Sequence, residues 1–467
     1  MERPVAWKAY SDEQLADLES FARDYSTFIS ENKTERECVA SAIELAREAG
    51  YKNLSDLIEA KTPLEPGSRI FASNRDKSLI LIEIGAQPLT NGFNILGAHV
   101  DSPRLDVKQN PLEEKNGLAY LDTHYYGGVK KYQWVTTPLA IHGVFCKKDG
   151  TKTYVSVGER PEDPVFVISD LLIHLAQEQL QKKATEVIEG EMLDIVCGNR
   201  PIVVEGDDKE AEKDPVKKYL LQLLSEAYDI DEEDFMSAEL EVVPAGPARD
   251  LGFDRSMILG YGHDDRSCSY PSLRAQIELA EIPTRSALTI LTDKEEIGSV
   301  GSTGMTSAFF ENVVAEVLAL AGYGESPLAL RRCLANSYML SSDVSAGFDP
   351  NFASVFEQKN ACYLGRGLTF MKFTGARGKS GSNDADAEYV ALIRRVMDEA
   401  GVAWQTAELG RVDVGGGGTI AYIIAKYGVN VIDCGVPVLS MHAPWEVISK
   451  ADLFEAYRGY QAFLALE

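Results

Sequence analysis

The chain has 467 residues, 45% of them hydrophobic, with a formal net charge of −26 and an isoelectric point near 4.7. This length exceeds what one simple core needs, so two or three domains are expected. The acidity excludes nucleic acids and anionic membranes as partners, because both attract basic surfaces. We find no run typical of a signal peptide or membrane span, and the seven scattered cysteines include no C-x-x-C pair. We therefore expect a cytoplasmic protein with reduced thiols.

Residues 11–50 predict two helices. A capping box, Thr34-x-x-Glu37, opens the second helix, and Gly50 ends it. These helices carry no cluster of reactive side chains, so we assign them to packing.

Two apolar runs, residues 78–84 and 93–101, predict a pair of strands, and the second run ends in His99 and Asp101. An imidazole at a strand end can bind a metal while a nearby carboxylate orients its other ring nitrogen. Taken alone, this spacing fits a structural histidine equally well.

Residues 106–246 predict an inserted domain that is rich in β structure. Alternating apolar and polar residues, with a turn at Asp149-Gly150, indicate antiparallel strands. One helix is expected over about residues 168–181 and another from Asp214-Pro215 onward. The highly charged stretch 205–214 predicts an exposed, mobile loop.

The remaining residues, 1–105 and 247–467, then form one discontinuous domain. Its most informative stretch is an apolar run, 287–292, that ends abruptly in Asp293, Lys294, Glu295 and Glu296. Such a run predicts a buried strand that delivers two adjacent carboxylates to the edge of a sheet where ligands bind. One carboxylate can hold a metal while its neighbour accepts a proton. A solvated turn is the ordinary alternative for an isolated Glu-Glu pair.

Other acids and histidines follow predicted strands or open predicted helices. Asp264 and Asp265 precede a helical segment, Asp343 follows a probable strand, and His442 follows another. A run of four glycines, 415–418, matches neither G-x-G-x-x-G nor a P-loop, so we expect close approach of its backbone to a substrate.

Five of these side chains form a set of nitrogen and oxygen ligands: His99, Asp264, Glu296, Asp343 and His442. Two divalent cations that share one bridging carboxylate need such a set, with one imidazole and one terminal carboxylate for each cation. Ligands without thiolate fit two Zn²⁺, with Mn²⁺ or Co²⁺ as alternatives.

The sequence resembles a bacterial member of the aspartyl aminopeptidase family of co-catalytic zinc metallopeptidases. The resemblance spans nearly the whole chain and depends on five motifs: G-A-H-V-D-S-P-R (97–104), G-H-D-D-R-S-C (262–268), D-K-E-E-I-G-S (293–299), S-S-D (341–343) and M-H-A-P (441–444). It implies an α/β fold with a mixed sheet flanked by helices, as in zinc exopeptidases, and an inserted dimerisation domain. It also implies dimers that assemble into a dodecamer.

The resemblance further implies a role for each site residue. The five side chains above would be the metal ligands, with Asp264 as the bridge, although the adjacent Asp265 is a rival for that position. Glu295 would be the general base of hydrolysis by a water activated between two metals, and Asp101 would orient His99. The expected reaction removes the N-terminal residue of a peptide.

Two further residues are expected to bind substrate. Lys372, with Lys379 as its rival, would pair with an acidic side chain, whereas a solvated surface lysine is the ordinary alternative. His174 would reach the active site of a neighbouring subunit, whereas a core histidine on an amphipathic helix is nearly as common.

There are two alternative functions: a related carboxypeptidase or deacylase that uses two metals, and an inactive binding scaffold on the same fold.

Overall fold

The computed structural model describes residues 4–203 and 213–467. It divides into two units, the first made of Met1–Ser102, Ala248–Met441 and Glu446–Glu467, and the second of Pro103–Pro247 and His442–Trp445. The expected division placed His442 with the discontinuous domain, whereas the short segment His442–Trp445 belongs here to the second unit. The charged stretch 205–214 lies outside the described residues, except for Lys213 and Asp214.

A mixed sheet runs through the first unit. Numbered along the chain and given in sheet order, its strands are β1 (Lys52–Asn53), β2 (Arg69–Asn74), β3 (Ser78–Glu83), β13 (Ser286–Thr292), β4 (Phe93–His99), β14 (Tyr338–Ser342), β18 (Asn430–Gly435), β16 (Leu368–Met371) and β17 (Trp404–Thr406). Strands β13, β4, β14 and β18 are parallel to one another. Strand β3 runs antiparallel to both of its neighbours, whereas β16 is antiparallel to β18 and parallel to β17. The α/β class with a mixed sheet is therefore confirmed.

Both faces of this sheet are buried by helices. Alternate strand residues point to opposite faces, so Leu81 and Leu96 join one apolar core while Ile82 and Ile95 join the other. The first core also contains residues of α1 (Asp12–Glu31), α2 (Glu35–Glu48), α5 (His263–Ile277), α8 (Ala387–Glu399) and α10 (Lys450–Leu464). The second contains residues of α3 (Leu54–Glu59), α6 (Phe309–Leu318), α7 (Pro327–Ala335) and α9 (Ala421–Ala425).

The two strands expected as a pair, β3 and β4, are not neighbours. Strand β13 lies between them, antiparallel to β3 and parallel to β4. The apolar pattern predicted each strand correctly, but it carries no information on the order of strands in the sheet. This order matters because it aligns the carboxyl ends of β4 and β13.

A second, smaller sheet of the first unit consists of β11 (Arg249–Leu251), β12 (Met257–Gly260), β20 (Glu446–Ser449), β19 (Pro437–Leu439) and β15 (Ser345–Ala346). Strand β12 leads into α5, and β20 pairs with β12, so that Glu446 lies opposite Gly260. This pairing brings Glu446 beside the start of α5.

The second unit contains an antiparallel sheet. In sheet order its strands are β8 (Lys152–Val157), β7 (Leu139–Cys146), β10 (Ala238–Pro244), β5 (Arg104–Lys115), β6 (Leu118–Tyr126) and β9 (Ile195–Gly198). Trp134 and Phe145 lie in its apolar core, against which α4 (Pro215–Tyr228) packs Leu220 and Leu224. The antiparallel strands and the helix that begins after Asp214 agree with the sequence.

The helix expected over residues 168–181 is wrong. The structure has only short 3₁₀ turns there, at Ile173–Leu175 and Gln179–Gln181. Residues just before them are drawn into the sheet, because Val167 bridges to Val196 and the carbonyl of Ile168 accepts the Thr136 N–H. Ile168 and Ala176 are buried, but the leucines and the isoleucine between Leu171 and Leu180 are exposed. They do not pack on a core of this chain, and packing supplies most of a helix's stability in proteins.

Within the described residues, no single helix is long and apolar enough to span a membrane. One pair, Phe309–Tyr323 and Pro327–Ala335, passes the same test when its two parts are combined, but it is bent by 112°. All seven cysteines lie in the described part of the chain and are free thiols.

Candidate metal centre

The ends of three parallel strands bring the predicted site residues to one edge of the large sheet. His99 is the last residue of β4 and lies opposite Thr292, the last residue of β13. On the other side of β4, β14 ends at Ser342 and is followed by Asp343. Because these strands are parallel, His99, the Glu295-Glu296 pair and Asp343 leave the sheet at the same edge, where open α/β sheets bind ligands.

The start of α5 adds two acids to this edge. Asp264 and Asp265 have non-helical backbone angles within the first turn of α5. Oδ1 of Asp264 lies 3.2 Å from Nε2 of His99, and the Asp264 N–H donates to Oε2 of Glu446 at 3.0 Å. Oδ2 of Asp265 instead accepts the backbone N–H of His99 at 3.2 Å. The two aspartates therefore face His99 differently, one through its imidazole and one through its backbone.

Among the described residues, two sets of side chains could hold a metal ion, and both include His99. In the first set, one ligand atom each from His99, Asp264 and Glu296 lie within 4.8 Å of one another, and in the second the same holds for His99, Asp265 and Asp343. Nitrogen and oxygen donors of this kind suit zinc, manganese or cobalt.

Asp101 is fully buried and connects His99, Glu295 and Glu296. Its carboxylate oxygens accept the backbone N–H groups of Glu295 and Glu296, each at 3.2 Å. Nδ1 of His99 donates to the carbonyl of Asp101 at 3.0 Å and lies 3.2 Å from its Oδ1. Because a carbonyl can only accept, Nδ1 carries the proton and Nε2 is the basic nitrogen of His99. Asp101 thus sets the imidazole tautomer that a metal ligand needs.

The electrostatics of the cluster fit a bound cation. Burial, together with the nearby charges of Glu295 and Asp265, raises the pKa of Asp343 well above its usual value. The pKa of Asp265 is also raised well above its usual value, by burial, against the lowering effect of His99. Burial alone would lower the pKa of His99, but the carboxylates of Asp101 and Asp264 beside its ring raise this pKa strongly. Crowded, desolvated carboxylates of this kind are stabilised as anions by a divalent cation.

Two buried atoms support the same conclusion. Among the described residues, Nε2 of His99 and Oδ1 of Asp265 have no hydrogen-bond partner. Most buried polar atoms in folded proteins are satisfied, so two unpartnered atoms within a cluster of acids fit a metal-binding role. The residues present therefore fit a zinc site.

His442, the fifth expected ligand, belongs to the second unit. Its Nδ1 donates to the carbonyl of Gly128 at 2.9 Å. This bond assigns the proton to Nδ1 and makes Nε2 the basic nitrogen, the same tautomer as in His99.

The two expected substrate-binding lysines share one partner. Nζ of Lys372 and Nζ of Lys379 each lie 2.8 Å from a different carboxylate oxygen of Asp384, and all three side chains are about half exposed. Within the described chain, Asp384 is the ion-pair partner of Lys372, and the lysine does not belong to either ligand set of the His99 cluster. Lys372 directly follows β16, whose antiparallel direction leads away from the edge that holds the cluster.

His174 lies on an exposed turn of the second unit, not on an amphipathic helix.

Two glycines of the run 415–418 approach other loops of the chain closely. A Cβ on Gly415 would lie 1.8 Å from the carbonyl oxygen of Leu409, and one on Gly416 would lie 2.3 Å from that of Gly375. These glycines are required by contacts between loops of the chain itself.

Glu446 was missed by the sequence reasoning. It is buried, and its contact with the Asp264 N–H holds the loop that carries Asp264 and Asp265. Its position four residues after His442 is the only signal in the sequence, and a single glutamate at the start of a strand does not stand out.

Comparison with known proteins identifies the family. Residues 28–464 match the model described as Aminopeptidase I zinc metalloprotease (M18). The probable M18 family aminopeptidase 1 of Clostridium acetobutylicum is 58% identical over 460 residues, which cover 98% of this chain and 97% of that protein.

Solved structures agree. The crystal structure of an M18 family aminopeptidase from Thermotoga maritima has a TM-score of 0.93 and 44% identity, and that of aminopeptidase I from Clostridium acetobutylicum has a TM-score of 0.92 and 56% identity. Each comparison covers 99% of both chains. This chain belongs to the M18 family of zinc metalloproteases and is an aminopeptidase.

Proposed function

We propose that the enzyme holds two zinc ions between His99, Asp264, Glu296, Asp343 and His442. The observation that carries this proposal is that His99, Asp264, Glu296 and Asp343 all belong to the two ligand sets at one edge of the sheet. Each cation needs its own imidazole, so His99 would serve one ion and His442 the other, with a carboxylate between them as in co-catalytic sites.

We assign the bridging position to Asp264. Its Oδ1 lies 3.2 Å from Nε2 of His99, the ring nitrogen left to bind a cation because Nδ1 donates to the Asp101 carbonyl. Asp265 has one oxygen, Oδ2, engaged by the backbone N–H of His99, which leaves only Oδ1 for a cation, whereas a bridging carboxylate commonly uses both oxygens. Asp265 would then support the site from behind while Asp264 contacts the ions.

Glu295 is assigned as the general base and Glu296 as a ligand. Glu296 belongs to the His99–Asp264 set, whereas Glu295 belongs to neither set. Oε2 of Glu295 lies 3.9 Å from Nε2 of His99, and its side chain is 16% exposed, so a water or a peptide can reach it.

The residues then divide the reaction among them. Bound zinc supplies Lewis-acid polarisation of a peptide carbonyl and acidifies water. Oε2 of Glu295 accepts the proton of the attacking water and passes it to the leaving amine. Asp101 holds the backbone of both glutamates during this transfer, because its two oxygens accept their N–H groups. The reaction releases the N-terminal residue of a peptide.

A preference for acidic N-terminal residues would depend on Lys372. Its ion pair with Asp384 is half exposed, and such pairs contribute only about 0–1 kcal/mol to stability. An acidic substrate side chain could therefore displace Asp384 at little cost. We infer that Asp384 moderates any acidic preference, because it competes for the same ammonium group.

The second unit is proposed to form the interface between subunits. Leu171, Leu172, Ile173, Leu175 and Leu180 are each 45–68% exposed in one segment. Soluble monomers rarely expose apolar side chains so densely, and a second copy of this chain is the partner that the family resemblance suggests. His174 lies within the segment, so association would carry its imidazole to a neighbouring subunit. Dimers and their assembly into a dodecamer are part of this proposal.

Free thiols at all seven cysteines suit the reducing conditions of a cytoplasmic protein.

Sedimentation at micromolar concentration tests the proposed assembly of subunits, and a strictly monomeric protein would contradict it.

A panel of aminoacyl chromogenic substrates, with zinc content measured by mass spectrometry, tests the function as a whole. We expect two zinc ions per chain and activity on free-amine substrates. Hydrolysis of N-blocked peptides in preference to free-amine ones would favour the deacylase or carboxypeptidase alternative. A protein that binds no divalent metal would contradict the site assignment.

A further inference from the structure

Lys294, the residue before the two glutamates, has an uncommon backbone conformation. Its φ of +66° lies in the left-handed region, which few residues other than glycine adopt. The chain leaves β13 at Asp293, turns at Lys294, and forms a short 3₁₀ turn over Glu295–Ile297. The conformation of Lys294 therefore decides the direction in which both glutamates leave the sheet.

The side chain of Lys294 holds this conformation in place. Its Nζ donates to Oδ2 of Asp293 at 2.7 Å and to Oγ1 of Thr303 at 2.6 Å. The Thr303 hydroxyl in turn donates to Oδ2 of Asp293, which closes a three-membered network. Gly301 packs on the aliphatic part of Lys294, since a Cβ there would lie 3.5 Å from its Cδ.

This network is largely buried and is attached to the sheet. Asp293 is 1% exposed and Thr303 is 4% exposed, so the bond between them is shielded from water, whereas the side chain of Lys294 is 26% exposed. The backbone carbonyl of Thr303 accepts the hydroxyl of Ser78, the first residue of β3. The turn is thus fixed to β3 on one side and, through Asp101, to the end of β4 on the other.

We propose that Lys294 is a positioning residue of the reaction, whose ammonium group, held between Asp293 and Thr303, keeps the turn that aims Glu295 and Glu296 at the metal site. This inference rests on the roles proposed above for the two glutamates. Lys294 does not touch the substrate; it acts through the backbone of its neighbours. Misplacing catalytic groups by about 1 Å can lower the rate about 100-fold.

The test compares matched pairs of variants. Lys294→Met keeps the length of the side chain and removes the ammonium, whereas Lys294→Arg keeps a cationic donor. Thr303→Val removes the hydroxyl with little change of shape, whereas Thr303→Ser keeps it. Lys61→Met is the control, because Lys61 is an exposed lysine that also has a positive φ, +51°.

Two quantities are measured on folded protein: the zinc dissociation constant, by competition with a chelator, and kcat and KM in excess zinc. We expect Lys294→Met to weaken zinc binding or lower kcat about 10- to 100-fold, the usual effect of removing a residue that orients a metal ligand, with KM within about 3-fold. Thr303→Val should act in the same direction. Lys294→Arg and Thr303→Ser should recover most of the loss, and Lys61→Met should match the wild type.

Three results would overturn the inference. One is zinc affinity and kcat within about 3-fold of wild type in both Lys294→Met and Thr303→Val. Another is a loss that appears only in KM, which would make Lys294 a substrate contact. The third is an equal loss in the Arg and Met variants. If Lys294→Met does not fold, the Thr303 pair decides the question.

Glu295→Gln, prepared alongside, separates this inference from the proposed function. If Glu295→Gln is fully active, the assigned role of Glu295 is wrong. If Glu295→Gln is impaired while the Lys294 and Thr303 variants are not, only the positioning role fails.

Discussion

Replacing either of two adjacent glutamates by glutamine should produce opposite defects. Glu295→Gln keeps the shape of the side chain, but an amide cannot accept a proton at neutral pH. Glu295 belongs to neither ligand set, so this variant should still bind two zinc ions. Its kcat should fall about 10²- to 10⁴-fold, the usual contribution of a positioned acid–base group, which corresponds to about 3–5 kcal/mol in the activation barrier.

Glu296→Gln should lose metal first, because Glu296 lies in the set with His99 and Asp264. Fold and assembly should survive in both variants. The backbone N–H groups that bond to Asp101 are unchanged, and both side chains lie at the edge of the sheet rather than in its core.

The assay measures zinc content and kcat on the same preparations of both variants. Circular dichroism and sedimentation serve as controls for folding and assembly. If Glu295→Gln loses a metal while Glu296→Gln keeps both, the two roles are exchanged. If both variants keep their metal and their turnover, the site has been assigned to the wrong turn of the chain.

Three further outcomes are expected. Asp101→Asn should weaken zinc binding or lower kcat about 10- to 100-fold, because its amide NH₂ group would face one of the two backbone N–H groups that Asp101 now accepts. Effects below about 3-fold on zinc affinity, measured by chelator competition, and on kcat would contradict the role of Asp101. Removing zinc with a chelator should abolish activity and lower the melting temperature by several degrees, since a ligand at 1,000 times its Kd stabilises the native state by about 4 kcal/mol. Calorimetry before and after adding zinc back measures the change in melting temperature. An unchanged melting temperature would argue against a buried site. Lys372→Ala should lower kcat/KM for acidic relative to neutral N-terminal residues by a factor that corresponds to about 1–3 kcal/mol. Asp384→Asn should raise the same ratio, because it removes the competing carboxylate. Equal effects on both substrate classes would exclude Lys372 as the selector.

Much of the site could be predicted because its residues are placed by local rules. An apolar run followed by polar residues predicts a strand and what leaves its end, which was enough to find His99, Glu295, Glu296 and Asp343. The same rule gives no information about Glu446, whose role depends on pairing between β12 and β20, residues far apart in the chain.

Local patterns failed where a segment's partners lie elsewhere. Residues 168–181 have the apolar spacing of a helix, but Ile168 packs in the core of the second unit while Leu171, Leu172, Ile173, Leu175 and Leu180 are exposed. The glycine run has the composition of a ligand-binding loop, and Gly415 and Gly416 also make room for the backbone of Leu409 and Gly375. Spacing alone cannot distinguish these cases, because it does not show what a segment packs against.

For this protein, the sequence alone determined the strands and most helices, the caps, the set of candidate ligands and the resemblance to a family. Each of these depends on residues close together in the chain or on a motif that stays recognisable without a fold. Only the tertiary structure decided that β13 lies between β3 and β4, that Asp264 faces the His99 imidazole while Asp265 holds its backbone, and that Asp101 accepts both glutamate N–H groups. These facts depend on strand order and on hydrogen bonds between residues up to 195 positions apart, for which a linear pattern has no signal.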